Sequence, residues 1–182
     1  MTVPNLLTFA RLALTPAVAC LAYASHTPGR AWALGLFLFA MATDVADGLI
    51  ARLPGQSSRL GLYLDPVADK ILLLTMFFVL ADLEMIPLWM AILMMVRELL
   101  VGALRSTAAT SGQVVGANAM GKTKALLQTI CVTVALGARA VAMKPETARF
   151  WVTALTGGTL LLAWIFAAVF VWRNRSLLTA SG

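Results

Sequence analysis

Residues 44–69 read DVADGLIARLPGQSSRLGLYLDPVAD, and this stretch holds four of the five aspartates of the chain. The surrounding sequence is strongly apolar, because 60% of the 182 residues are hydrophobic and only 12% are charged. A soluble domain has about twice that charged fraction. The composition therefore predicts an all-α integral membrane protein whose carboxylates are concentrated in one place.

Six segments are apolar and long enough to cross a membrane, which takes about 20 residues. We predict helices over residues 6–24, 32–51, 87–104, 123–141 and 150–172, with another that begins between 60 and 69 and ends near 81. The small-residue stretch 106–118 is predicted to be a cytoplasmic loop, with or without a short surface helix. Residues 1–182 are expected to form a single transmembrane domain.

Lys and Arg residues are distributed unevenly between the predicted loops. With a cytoplasmic N-terminus, ten of them fall on the cytoplasmic side and four on the opposite side. Because positively charged loops stay in the cytoplasm, both termini are predicted to be cytoplasmic. Nucleic acid is not an expected partner, since no Lys/Arg cluster is interleaved with aromatic residues.

The first two aspartates share one face of the second predicted helix with small residues. At 100° per residue, Asp44 and Asp47 lie about 60° apart, and Gly48 and Ala51 lie within about 40° of Asp44. This stripe places two carboxylates where a bulky ligand can approach the backbone closely.

The other two aspartates, Asp65 and Asp69, lie one turn apart on the third predicted helix. Its start is open between two alternatives. Either Pro66 is the first helical residue with Asp65 as its cap, or the helix begins nearer Gly61 and contains the proline.

Four carboxylates close to lipid cannot all stay ionised without a counter-charge. A divalent cation would supply it, and the presence of one histidine in the chain favours all-oxygen ligation of Mg²⁺, Mn²⁺ or Ca²⁺ over zinc. Two such ions suit displacement at a phosphorus atom, and Arg52 can bind a phosphate with paired donors. The alternative is a solvated interfacial loop whose acids face water.

The spacing Asp44-x2-Asp47-Gly48-x2-Ala51-Arg52-x8-Gly61-x3-Asp65-x3-Asp69 resembles the CDP-alcohol phosphotransferase signature at every fixed position. Four further groups are similar to bacterial phosphatidylglycerophosphate synthases: Asn5-Leu-Leu-Thr8-x2-Arg11, residues 64–70 (LDPVADK), Arg97-Glu98 with Arg105, and residues 121–124 (GKTK) with Gln128. The likeness covers most of the chain and is weakest in the last two helices. It implies the six-helix CDP-alcohol phosphotransferase fold.

The resemblance implies transfer of the phosphatidyl group of CDP-diacylglycerol to sn-glycerol 3-phosphate, giving phosphatidylglycerophosphate and CMP. The expected location is the bacterial inner (plasma) membrane, with the active site on the cytoplasmic side. By the same resemblance, Asp44, Asp47, Asp65 and Asp69 hold two Mg²⁺ or Mn²⁺ ions. Asp69 is also the expected general base, which accepts the proton of the glycerol 1-hydroxyl.

The resemblance also suggests the residues that surround the substrates. The CDP pocket is expected to comprise Gly48, Ala51, Arg52 and Gly61, with Ser57 and Ser58 as further contacts. The candidates for the acceptor phosphate are Arg97, Arg105, Lys122 and Lys124, whose alternative role is that of ordinary interfacial anchors. A structural Arg97–Glu98 or Glu98–Arg105 pair is a further alternative for the arginines.

Three polar residues at the start of the first helix, Asn5, Thr8 and Arg11, are candidates to line the nucleotide or acceptor cavity. Their alternative roles are helix capping and snorkelling at the interface. Gly157 and Gly158, in the last helix, favour close helix packing or a homodimer.

Three rival functions stay open. A cardiolipin synthase of the same superfamily would use phosphatidylglycerol as the acceptor. An intramembrane prenyltransferase also binds a diphosphate through aspartate-held Mg²⁺, but its acidic motifs usually lie on separated helices of a larger bundle. A divalent-cation transporter would need acids near mid-membrane on several helices, and the last three helices here supply only Glu98.

Overall fold

Our computed structural model describes the backbone of residues 3–50, 59–110 and 119–173, and the side chains of residues 9–43, 70–106 and 121–173. Across these residues the secondary structure comprises six helices and no strand. The helices are α1 (Val3–Ala22), α2 (Thr27–Ile50), α3 (Arg59–Asp82), α4 (Leu88–Thr110), α5 (Ala119–Ala140) and α6 (Pro145–Arg173). This order confirms the helical class and the predicted number of helices.

Two helices begin five residues earlier than the apolar pattern predicted, the largest differences among the six starts. α2 starts at Thr27 instead of residue 32, and α6 starts at Pro145 instead of residue 150. Both have a proline in the first turn, Pro28 or Pro145, where the missing N–H has no intrahelical acceptor to lose. Glu146 adds a negative charge near the positive end of the α6 dipole. Residues that favour a helix start therefore extend both helices beyond their apolar segments.

The structure decides between the two alternatives for the start of the third helix. α3 begins at Arg59, so Pro66 lies inside the helix, and the prediction of Asp65 as its cap is wrong. α4 continues to Thr110, into the stretch predicted to be a loop, and residues 111–118 of that stretch lie outside the described residues.

The helices pack as a closed ring. α1 contacts α2 and α3, α2 contacts α5, α5 contacts α6, α6 contacts α4, and α4 contacts α3. α3 also touches α5 across the ring. On α6 the buried side chains recur every three or four residues and are mostly small, as in Ala148, Thr156 and Ala163. Small residues at this spacing let neighbouring backbones approach closely.

Side-chain contacts show which helix ends lie together. Tyr23, just after α1, donates a hydrogen bond to Asp82 at the end of α3 (Oη to Oδ2, 2.8 Å). Toward the other end of the bundle, Lys124 near the start of α5 contacts Glu98 in the middle of α4. We call the latter the motif end, because it holds the end of α2 and the start of α3. The opposite end holds the α1–α2, α3–α4 and α5–α6 connections.

Two turns at the opposite end have the same hydrogen-bonded form. After α3, the N–H of Met85 bonds to the carbonyl of Leu80 (2.9 Å) around Glu84, whose φ is 57°. α5 ends in the same arrangement around Ala142, whose φ is 52°. This left-handed position at a helix end is the one that glycine usually occupies. The bundle therefore holds two non-glycine residues in a strained conformation at this end.

The outside of the bundle is apolar. Every helix exposes at least one large hydrophobic side chain, for example Phe9, Phe39, Ile71, Leu99, Leu126 and Leu161. Among the residues with described side chains, those of α6 form the one helix that is long and apolar enough to cross a membrane, and Phe9–Ala22 forms a shorter apolar segment. An apolar surface on all six helices indicates contact with lipid or with protein.

The paired glycines of α6 differ in their surroundings. A Cβ atom added at Gly157 would lie 3.6 Å from Cε of Met90, whereas one at Gly158 would have nothing within 4 Å. Gly157 thus faces α4 inside the bundle. Formation of a homodimer stays a prediction.

Candidate active site

The two halves of the aspartate motif lie on helices that meet at the motif end. Asp44 and Asp47 belong to the last turns of α2, and Asp65 and Asp69 to the first turns of α3. The backbone thus brings both acidic pairs to one end of the bundle, while their side chains lie outside the described residues. The other predicted residues whose side chains lie outside them are Asn5, Thr8, Gly48, Ala51, Arg52, Ser57, Ser58 and Gly61.

Arg11 is buried at the level of these aspartates. It is 1% exposed and lies on α1, the helix that packs against both α2 and α3. At about 1.5 Å per residue, Arg11 is roughly 12 Å from the start of α1, Asp44 roughly 9 Å from the end of α2, and Asp69 roughly 15 Å from the start of α3. Burial of a guanidinium costs much free energy unless acceptors or negative charge surround it. Its burial argues against the snorkelling alternative for Arg11, and its place in the nucleotide or acceptor cavity stays a prediction.

A buried polar network connects α4 to α5 and α6. Oε1 of Glu98 accepts hydrogen bonds from Nη1 of Arg97 (2.9 Å) and from Nζ of Lys124, and Nε2 of Gln128 lies 3.5 Å from it. Nε of Arg97 also donates to the carbonyl of Ala163 (3.1 Å). Arg97 and Glu98 are 5% exposed, Lys124 is 9% and Gln128 is 1%. The Arg97–Glu98 pair that the sequence left open is therefore formed, and Lys124 joins it.

This network holds more positive than negative charge. Arg97 and Lys124 are two cations and Glu98 is one carboxylate, so the three side chains sum to +1. Contacts from three helices fix these groups in place, and water reaches them poorly. An anion that enters would meet cations already oriented, with little reorganisation.

Lys70 connects the network to the aspartate motif. It follows Asp69 directly in α3, and its Nζ lies 3.1 Å from where a Cβ atom at Gly102 of α4 would be. Gly102 thus leaves the space that Lys70 occupies between α3 and α4.

The other two candidates for the acceptor phosphate, Arg105 and Lys122, are exposed at the motif end. The guanidinium carbon of Arg105 lies 5.8 Å from the ring centroid of Phe170 on α6. None of the carboxylates with described positions lies within 4 Å of Arg105, so the alternative Glu98–Arg105 pair is not formed. Among the described residues, Arg105 at the rim of the network therefore has a ring contact and no ion pair.

The sequence model of the CDP-alcohol phosphatidyltransferase family matches residues 1–157. The chain belongs to this family. The matched range covers the aspartate motif, Arg11, and the four network residues on α4 and α5, and it extends into α6.

Similar proteins within the family have two kinds of name. A CDP-diacylglycerol–glycerol-3-phosphate 3-phosphatidyltransferase of Bacillus subtilis is 36% identical over 146 residues, which are 73% of this chain and 75% of that protein. An enzyme of the same name from Cereibacter sphaeroides is 31% identical over 137 residues, 73% of this chain and 62% of that protein. A putative cardiolipin synthase of Mycobacterium bovis is 40% identical over 105 residues, 57% of this chain and 49% of that protein.

Sequence reasoning did not include Lys70, Glu98 and Gln128 among the site residues. Each had a signal in the sequence. Lys70 is adjacent to the motif, Glu98 is the one acidic residue of α4, and Gln128 lies one helical turn after Lys124. What the sequence could not show is that α4 and α5 bring these side chains within hydrogen-bonding distance.

Proposed function

We propose that the chain transfers the phosphatidyl group of CDP-diacylglycerol to sn-glycerol 3-phosphate and releases CMP. The chain is a member of a transferase family, and the relatives from Bacillus subtilis and Cereibacter sphaeroides are named for this reaction. One observation carries the proposal: both halves of the aspartate motif lie at the same bundle end as the buried Arg97–Glu98–Lys124 network. A diphosphate donor and a phosphate-bearing acceptor need these two kinds of group side by side.

The cations at the motif end are proposed to bind the acceptor phosphate. Arg97 uses Nε and Nη1 in its described hydrogen bonds, and Lys124 uses one of its three ammonium donors. Both therefore keep donors for a phosphate while Glu98 holds them in position. Arg105 and Lys122, at the rim, add charge that attracts a dianionic phosphate monoester.

The donor's diphosphate is proposed to lie over the aspartates. Asp44, Asp47, Asp65 and Asp69 offer only oxygen ligands from two helices at one bundle end, a donor set that fits Mg²⁺ or Mn²⁺. When bound, two such ions would stabilise the negative charge that develops on the phosphates. Gly48, Ala51, Arg52 and Gly61, with Ser57 and Ser58, are proposed to bind the CDP moiety.

Asp69 is proposed to act as the general base. Its carboxylate would accept the proton of the glycerol 1-hydroxyl as that oxygen forms a bond to the β-phosphorus of CDP-diacylglycerol. The bond from that phosphorus to the oxygen of CMP breaks, and CMP leaves as the phosphate monoester.

The bundle is proposed to span the membrane six times. The helices have 20 to 29 residues each, long enough for a hydrocarbon core of about 30 Å. Large apolar side chains cover the outside of all six helices. By the distribution of Lys and Arg, the motif end and both termini would face the cytoplasm.

This orientation can be tested with a single cysteine at the opposite end. Lys144 is exposed in the α5–α6 connection, and the two native cysteines are replaced by serine. A membrane-impermeant thiol reagent should label Lys144→Cys in intact cells. Labelling only after the cells are lysed would reverse the proposed orientation.

Cardiolipin synthesis is the second candidate, favoured by the identity with the Mycobacterium bovis protein. The deciding experiment incubates the purified chain with labelled CDP-diacylglycerol and, in turn, glycerol 3-phosphate, serine, inositol phosphate and phosphatidylglycerol. We expect a lipid product with glycerol 3-phosphate, which EDTA abolishes and Mg²⁺ or Mn²⁺ restores. A product with phosphatidylglycerol alone would establish the second candidate, and full activity in EDTA would exclude the metal site.

A further inference from the structure

A cavity of about 290 Å³ opens at the opposite end of the bundle, away from the aspartate motif. It lies between the start of α2, the turn after α3, and the α5–α6 connection with the first residues of α6. Three arginines, Arg30, Arg139 and Arg149, and two glutamates, Glu84 and Glu146, line it. The five side chains sum to +1.

Two of these arginines, Arg30 and Arg139, form no ion pair with the described carboxylates. Arg30, from the start of α2, and Arg139, from the end of α5, line the same cavity. No described carboxylate lies within 4 Å of either guanidinium group. Nε of Arg139 is buried and has no hydrogen-bond partner among the described residues. Two arginines that line one cavity without a carboxylate partner among the described residues supply the kind of donor with which proteins bind phosphate.

Arg30 and Arg139 are each held at the cavity by the local structure around them. Nε of Arg30 donates to the carbonyl of Ala24 (3.0 Å), which ties its side chain to the α1–α2 connection. Arg139 lies in the last turn of α5, where the helix dipole favours a positive charge. Each arginine is thus stabilised locally at this position. An anion bound between them would compensate their two positive charges.

The position of the cavity indicates the source of the anion. Trp32, Trp89 and Trp151 lie near the starts of α2, α4 and α6, and they are 67%, 53% and 61% exposed. Exposed tryptophans at one end of a helix bundle mark the level of the lipid headgroups. The cavity opens at this same end, where phospholipid phosphates are far more concentrated than free phosphate.

We propose that this cavity binds the phosphate of a phospholipid headgroup, at a site separate from the proposed catalytic one. The inference rests on the proposed membrane placement but not on the catalytic role of the aspartates. The lipid bound here would lie in the leaflet away from the aspartate motif, so it would be a structural ligand and not a substrate.

The test uses the purified full chain in detergent and native mass spectrometry to count bound lipids. Dioctanoyl phosphatidylglycerol is the lipid probe, and inorganic phosphate is the free-anion probe. We expect Arg139→Gln and, independently, Arg30→Gln to weaken binding of the lipid probe about tenfold. Lys144→Gln is the matched control, because Lys144 carries the same charge one residue from the cavity wall, and it should change the binding less than about twofold.

The measurements distinguish a lipid phosphate from free phosphate, and this cavity from the proposed catalytic site. Equal binding losses in Lys144→Gln and in both arginine variants would overturn the site. Inorganic phosphate that binds as tightly as the lipid, with the same dependence on Arg139, would overturn the lipid source. Transfer activity of the arginine variants should stay within about twofold of wild type, because the cavity lies far from the aspartates. A failure of catalysis in the wild-type chain would leave these binding results unaffected.

Discussion

The two ends of the bundle carry cations of the same types in different settings. At the motif end, Arg97 and Lys124 are buried and share the carboxylate of Glu98. At the opposite end, Arg30 and Arg139 are half-buried, line one cavity, and have no carboxylate within 4 Å among the described residues. One pair of cations is thus held by a carboxylate of the protein, whereas the other pair has no carboxylate partner among the described residues.

This difference bears on what each end can bind. Buried cations held by a shared carboxylate keep one geometry, which suits a site that must orient a reacting molecule. Cations that have no carboxylate partner can bind an external anion without breaking an existing ion pair. The motif end therefore fits catalysis, and the opposite end fits binding alone.

The largest expected effect is on turnover, and it distinguishes Asp69 at the motif end from Asp82 at the opposite end. Asp69→Asn should lower turnover about 10³-fold or more, because the amide cannot accept the proton and is a poor metal ligand. Asp82→Asn is the matched control at the opposite end, since an amide oxygen can still accept the hydrogen bond from Tyr23. CMP release is measured for both, with Tm as a check that each variant folds. Normal CMP release by Asp69→Asn would remove its role as the base.

The next comparison is of stability, between variants of Glu98 near the motif end and Glu84 at the opposite end. Glu98→Gln leaves Arg97 and Lys124 buried without a counter-charge, and it should destabilise the protein by about 3–5 kcal/mol, or lower Tm by roughly 6–20 °C. Glu84→Gln, at the exposed turn of the opposite end, should change stability by less than about 0.5 kcal/mol. Thermal unfolding of the purified proteins in one detergent measures both. Equal Tm values for the two variants would show that Glu98 is not the principal counter-charge of the network.

A third comparison concerns substrate affinity. Arg105→Gln removes an exposed cation at the motif end without breaking the buried network, so the fold should persist. We expect the KM for glycerol 3-phosphate to rise about tenfold, the loss of one hydrogen bond to a charged group. The KM for CDP-diacylglycerol should change less. Arg149→Gln, exposed at the opposite end, should change neither KM, and a larger rise for CDP-diacylglycerol in Arg105→Gln would reassign Arg105 to the donor site.

The sequence was sufficient to predict the helices and the position of the motif, because both depend on local signals. Long apolar runs define the helices, and the spacing of Asp44, Asp47, Asp65 and Asp69 is contained within two adjacent helices. The helix starts were less predictable, since Thr27 and Pro145 extend α2 and α6 through cap-forming residues and not through hydrophobicity.

The contacts between distant residues could not be predicted from spacing. Glu98 and Lys124 are 26 positions apart, and Arg97 reaches the carbonyl of Ala163, 66 positions away. Arg30 and Arg139 come together only because α2 and α5 are neighbours in the ring. Each of these contacts depends on how the helices pack, and one sequence alone does not reveal that order.

The smallest expected effect tests the strained turns of the opposite end. Glu84 and Ala142 have φ values of 57° and 52°, which glycine adopts without strain. Glu84→Gly and Ala142→Gly should each stabilise the protein by about 0.5–1 kcal/mol, because relief of strain exceeds the added entropy of the unfolded chain. Ala154→Gly, exposed inside α6, is the control with the opposite sign and should destabilise by about as much. Tm values that fall in all three variants would show that these two turns are not strained, and that the opposite end stores no conformational free energy.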